Sequence, residues 1–175
     1  LDRARFGPSL VFAQAGPILN FARQLGVPVR VVPLRSAFFH SASAPLRLRS
    51  LGPFLRYYRR TVRLTVNLIE ELKPDLVHLN TSVLVPAALG AKQTGTPVVW
   101  HVREPVGSNA IPRRWLIGRI QSLSDHIVTT SRYVARDYFG PKPVTVIHNA
   151  LDNNHFRPGG EETRTRMRAE LDLPD

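Results

Sequence analysis

The stretch Asp125–Pro158, DHIVTTSRYVARDYFGPKPVTVIHNALDNNHFRP, constrains this chain more than any other. His126–Thr130 is a short, mainly apolar run without strict polar alternation, as a strand covered on both faces requires. Ser131 then stands at a helix N-cap position, and the spacing predicts an amphipathic helix over Ser131–Phe139. Gly140–Pro143 is a turn and Val144–Ile147 a second buried strand. A polar loop, His148-Asn149-Ala150-Leu151-Asp152, exits through Phe156-Arg157-Pro158. Strand, helix and parallel strand make a βαβ unit, and sheets built from such units bind ligands outside the carboxyl ends of their strands.

The rest of the chain keeps this rhythm. Strands are predicted over Ser9–Ala13, Val29–Val32, Leu76–Leu79 and Val98–Val102. Helices alternate with them over Gly16–Leu25, Phe54–Leu72, Val83–Gln93 and Pro112–Leu123. Pro17 lies in the first turn of the first helix and Gly26 stops it, while Lys73-Pro74 ends the second and Gly95 the third. Arg35–Pro53, rich in Ser, Ala, Pro and Arg, reads as a linker. The fold class expected is α/β, with a Rossmann-like, doubly wound parallel sheet. A chain of 175 residues with 43% hydrophobic residues supplies one such core. Gly159-Gly160 separates a domain over 1–158 from a linker over 159–175.

Charge leaves two classes of partner open. The formal net charge is +11, and 21 of the 24 basic residues are Arg. Such a balance suits nucleic acid or an anionic membrane surface, and equally a solvated arginine-rich surface. The helix Phe54–Leu72 focuses it. Arg56, Arg59, Arg60 and Arg63 form one basic stripe, beside an apolar face of Leu55, Tyr58, Val62, Val66 and Ile69. A stripe of this kind can lie on anionic lipid or simply face water. There is no cysteine, which excludes disulfides and thiolate metal sites. His78, His101, His126, His148 and His155 contain no i, i+4 pair, and no glycine-rich phosphate loop occurs, so no metal is expected. No apolar run reaches the length of a transmembrane helix.

Candidates for chemistry sit where strands end. Asn80, Thr81 and Ser82 come directly after Leu76–Leu79 and offer neutral hydrogen-bonding groups suited to sugar hydroxyls; Thr81 or Ser82 is also well placed to cap the next helix. Val98–Val102 runs into Arg103-Glu104-Pro105. His101 lies two residues before Arg103, on the same strand face. Arg103 can stabilise a phosphate or a leaving-group charge but cannot act as a base, whereas His101 can titrate or be a core histidine. Ser131 caps its helix, and the backbone amides there could meet an anion. Asn149 and Asp152 occupy the last polar loop, where turn chemistry explains them equally well.

The end of this chain resembles the end of the N-terminal domain in GT-B glycosyltransferases of family 4 (group 1). There a Ser comes after the penultimate strand, and the last strand enters an Asn-Gly-hydrophobic-Asp loop that ends in Phe-x-Pro. The loop here is Asn149-Ala150-Leu151-Asp152, with Ala in place of the usual Gly. PSLVFAQAGPILNFARQLGVPVRVVPL resembles the family's second strand, its next helix and its third strand. The resemblance implies that the family's first strand, glycine-rich turn and first helix would precede Leu1. That strand would lie between Ser9–Ala13 and Leu76–Leu79. EETRTRMRAELDLPD resembles the linker toward the C-terminal domain, which would come after Asp175. Many family members carry a His and then an acid near the transferred sugar; those positions fall on Arg103 and Glu104.

The resemblance implies the acceptor-binding half of a retaining glycosyltransferase, moving a sugar from a nucleotide-sugar to an acceptor hydroxyl. It implies catalytic roles for Arg103, Glu104 and His101, and substrate contacts for Asn80, Thr81, Ser131 and Asn149. No cofactor is expected beyond the nucleotide-sugar co-substrate, whose site would belong to the other domain. These 175 residues alone are expected to transfer no sugar. The acceptor would be a sugar or lipid-linked, and the enzyme cytoplasmic, peripheral on the inner membrane face. The alternative class is a non-catalytic basic module for nucleic acid or anionic membrane; no recognised nucleic-acid motif favours it.

Overall fold

A computed structural model describes residues 2–34, 51–106, 110–138, 142–154, 156–157 and 159–174, apart from the side chains of 51–54 and 110–112. The strands are β1 (Leu10–Phe12), β2 (Val29–Val31), β3 (Val77–Leu79), β4 (Val98–Val102), β5 (His126–Thr129) and β6 (Val144–Val146). The helices are α1 (Ile18–Gln24), α2 (Leu51–Leu72), α3 (Val85–Gln93), α4 (Ala110–Leu123), α5 (Arg132–Ala135) and α6 (Glu161–Glu170). Every ladder is parallel. Among the described residues β1 pairs with β2, and β3, β4, β5 and β6 form a second sheet in chain order. This is the α/β, Rossmann-like architecture expected from the sequence. Among the described residues β1 and β3 share no ladder.

Because strand order matches chain order in the larger sheet, right-handed crossovers bring α3, α4 and α5 to one face. The burial pattern agrees: Val98, Trp100 and Val102 of β4 are fully buried, while Val99 and His101 are half-buried. Around them pack Val85 and Ala88 of α3, Ile120 of α4, Ile127 of β5 and Tyr138. α2 lies against α3 through small groups. A Cβ on Gly90 would stand 2.8 Å from Cβ of Thr65 and 2.9 Å from the Val62 carbonyl oxygen, so only glycine permits this approach. Buried Thr65 satisfies its own hydroxyl by donating to the Thr61 carbonyl at 2.9 Å. Asp125 fastens the start of β5 to β4, accepting from the Val98 amide at 2.9 Å and from Lys92 at 3.0 Å.

Several boundaries differ from expectation. α2 begins at Leu51, inside the predicted linker, because Pro53 is tolerated in a first helical turn; residues 35–50 lie outside the described residues. Its buried side is Thr61, Val62, Thr65, Leu68 and Ile69; of the expected apolar face, Val62 and Ile69 are buried, Tyr58 and Val66 half-buried and Leu55 exposed. The four arginines of the stripe, Arg56, Arg59, Arg60 and Arg63, are exposed as expected. The helix predicted over Ser131–Phe139 is α5 and then a 3-10 turn over Arg136–Tyr138, and Phe139 lies outside the described residues. Gly26 ends α1 with φ +64, the left-handed conformation that glycine allows at a helix stop.

Candidate functional site

The polar residues gather at the carboxyl ends of β3, β4, β5 and β6. Two groups form there, on either side of the sheet. The first centres on Glu104, just past β4. Its Oε1 accepts from the Thr81 hydroxyl at 2.8 Å, the Ser82 amide at 2.8 Å and the Ser82 hydroxyl at 2.5 Å. Burial works against the charge on Glu104. The Ser82 hydroxyl and amide, the Thr81 hydroxyl and the Arg103 amide outweigh it and hold the carboxyl below the usual glutamate range. The loop is also gripped from the core, where the Trp100 indole N–H donates to the Thr81 carbonyl at 2.8 Å. The hydroxyl of Tyr138 is buried with no partner among the described residues, and burial pushes its pKa well above the usual phenol value.

The second group lies on the opposite, half-open face. Arg103 donates to Asn149 Oδ1 at 2.8 Å, joining the end of β4 to the loop after β6. Between them, the Thr130 hydroxyl donates to the Arg103 carbonyl at 3.2 Å, and His148 Nδ1 meets the Thr130 carbonyl at 3.1 Å. His101 stacks on His78 of β3, with centroids 5.6 Å apart and planes 9° from parallel. The ladder that pairs His78 with Val99 brings this contact about, because His101 is the next residue on that face. Burial, the neighbouring His78 and Arg103 each push the His101 pKa down, and its Nε2 is buried without a partner among the described residues. His101 is therefore a neutral imidazole near neutral pH.

Of the residues singled out from sequence, His101, Arg103 and Asn149 stand together on the half-open face. Asn80 is exposed at the end of β3, while Thr81 and Glu104 bind one another on the other side. Thr81 and Ser82 do not cap α3, whose N-cap is Leu84 without a side-chain hydrogen bond; their polar atoms are spent on Glu104. Ser131 does cap α5, accepting from the Val134 amide at 3.2 Å. Asp152 accepts from the Asn154 amide at 2.9 Å, which is turn chemistry. Trp100, Ser82, Thr130 and His78 belong to the site, yet sequence reasoning gives none of them these contacts. Trp100 alone carries a signal: an indole in a buried strand needs an acceptor for its N–H.

Among the described residues no cluster of three or more His, Asp or Glu could hold a metal ion. No described helix is long and apolar enough to cross a membrane. An open cavity of about 420 Å³ lies among Arg3, Phe6, Pro8, Pro28 and Leu72. It sits at the amino ends of the strands, away from the polar cluster.

Residues 13–155 match the sequence pattern of glycosyltransferase family 4. The chain belongs to that family. No curated protein matches the chain. Among solved structures, the family fold is matched by HepE from Anabaena in complex with UDP, with TM-score 0.60 and 17% identity over 93% of this chain and 42% of that one. A glycosyltransferase from Rickettsia africae matches with TM-score 0.61 and 11% identity, over 99% and 43% of the two chains. MurG from Acinetobacter baumannii gives TM-score 0.53 at 13% identity, over 81% and 36%. The family 4 chain described here thus spans well under half the length of these relatives and has the fold of the N-terminal Rossmann-like half of a GT-B glycosyltransferase.

Proposed function

We propose that this chain is the acceptor-binding half of a retaining, metal-independent glycosyltransferase that moves a sugar from a nucleotide-sugar to an acceptor hydroxyl. The observation that carries this reading is the polar cluster at the carboxyl ends of four parallel strands, where ligands of such sheets bind. Family membership and the UDP held by a structural relative support it. In this reading the donor occupies a second domain reached through the linker over 159–175, and the 175-residue chain alone transfers no sugar.

Arg103, held by Asn149, offers a fixed positive charge to the leaving diphosphate. Glu104, anchored through Oε1 and kept ionised, would receive the acceptor hydroxyl on its second oxygen. Neutral His101, with Asn80, would orient acceptor hydroxyls, Thr81 would act through the Glu104 carboxylate that it holds, and the amides after Ser131 would face donor phosphate. In the chain joined to its donor-binding half, Arg103→Ala and Glu104→Ala should each lower kcat/KM at least tenfold, about 1.4 kcal/mol of transition-state binding. Near-normal kinetics in both folded variants would move the site elsewhere.

A second reading concerns the partner surface. The exposed stripe of Arg56, Arg59, Arg60 and Arg63 fits an anionic membrane, which would place the enzyme at the cytoplasmic face beside a lipid-linked acceptor. Changing all four to Gln should weaken binding to anionic liposomes at low salt while leaving helix content intact. Equal binding by the parent and the variant would exclude this surface.

A further inference from the structure

We propose that Trp100 is a positioning residue for Glu104, acting through the peptide unit between Thr81 and Ser82. That unit is planar and trans, so its carbonyl and its N–H point in opposite directions and turn together. Its carbonyl oxygen accepts from the Trp100 indole at 2.8 Å, and its N–H donates to Glu104 Oε1 at 2.8 Å. One rotation of this plane would break both bonds at once. The indole belongs to a fully buried side chain at the centre of β4, with its backbone in register with Leu79 of β3. A buried indole N–H needs an acceptor, and here that acceptor is the group whose orientation aims an amide at the carboxylate.

Bonds in series also polarise one another, so donation by Trp100 to the carbonyl strengthens the adjoining N–H as a donor to Glu104. The side-chain hydroxyls of Thr81 and Ser82 converge on the same oxygen, and their placement depends on the same backbone. Trp100 thus fixes from the core a carboxylate that it does not touch. Its importance to the reaction depends on Glu104 being the acceptor-side carboxylate proposed above.

The chain itself allows the test, because it contains two tryptophans and Trp115 is partly exposed on α4. In the isotope-labelled 175-residue chain, the Trp100 indole N–H signal should shift with acid at the same midpoint as the Glu104 carboxyl carbon. The Trp115 signal should not track that midpoint. A Trp100 signal indifferent to the titration of Glu104 would overturn the proposal. In folded Trp100→Phe, which lacks the donor, the Glu104 midpoint should rise toward the ordinary glutamate range; an unchanged midpoint would count equally against it. If that variant fails to fold, the linked titration in the unmodified chain decides alone. In the enzyme carrying both halves, Trp100→Phe should lower kcat roughly tenfold or more with a smaller change in KM. Full activity of Glu104→Ala, together with a linked indole signal, would sink the catalytic reading while leaving the positioning contact standing.

Discussion

β1 and β2 pair over three residues each, and so do β3 and β4, yet the outcomes differ. Leu10 of β1 is 37% exposed and Val31 of β2 46%, whereas Val98, Trp100 and Val102 of β4 are fully buried. The helix between β1 and β2 leaves Ile18 and Phe21, and Leu25 at its end, more than half exposed, while α3 buries six of its nine residues. Both regions obey the same local rules of apolar strand, helix and glycine stop. What separates them is company: β4 has a strand on each side, whereas among the described residues β1 and β2 have only each other in their sheet. A parallel strand acquires its buried character from its neighbours rather than from its own residues.

The sharpest way to break this contrast is truncation in each sheet. Ile127→Ala in β5 should cost about 2–5 kcal/mol, whereas Leu10→Ala in β1 should cost about 1 kcal/mol or less. Comparable losses in denaturant unfolding would mean that the two-stranded region is as well packed as the four-stranded one. A pair of glycines sharpens the same point. Gly90→Ala drives a methyl into Thr65 and the Val62 carbonyl, at about 1–3 kcal/mol; Gly16→Ala meets nothing within 4 Å and should be near neutral. Equal melting temperatures for the two variants would show that the α2–α3 contact yields easily.

The smallest expected effect is pH linkage. Glu104 has a folded pKa below its unfolded value, so the unfolded chain takes up more protons as acid is added. Its contribution is complete above the ordinary glutamate range and disappears as pH falls through the folded pKa. Asp125 behaves alike, held low by the Val98 amide and by Lys92. Both flank strands of the four-stranded sheet. Glu104→Gln should therefore flatten part of the acid limb of the stability curve, measured by denaturant midpoints between neutral and acidic pH. An identical acid limb in the variant would remove Glu104 from the linkage.

The order of elements is legible in the sequence because apolar runs and Gly or Pro stops are local signals: all six strands lie within a residue or two of their expected places. The interior of α2 is not legible in the same way, because its contact with α3 selects Thr61 and Thr65, which no hydropathy pattern marks as core. At the site, His101, Arg103 and Glu104 are found by looking at the carboxyl end of a buried strand. The bonds of Thr81 and Ser82 to Glu104 span more than 20 residues, and the His78–His101 stack needs the register of two strands. Local preference suggests a helix cap for Thr81 and Ser82, and a distant carboxylate competes successfully for the same donors.

The larger sheet's strand order, β3-β4-β5-β6, also bears on how the chain comes to be folded. Each strand joins the one made just before it, separated by a single crossover helix, so no ladder waits for a remote partner. Closure entropy is small for such neighbours, and contact order in this half is low for a parallel sheet. On a ribosome extending at roughly 5–20 residues per second, each crossover and its strand emerges within seconds and finds its template already in place. The sheet can grow by accretion from β3 outward, in the direction of synthesis.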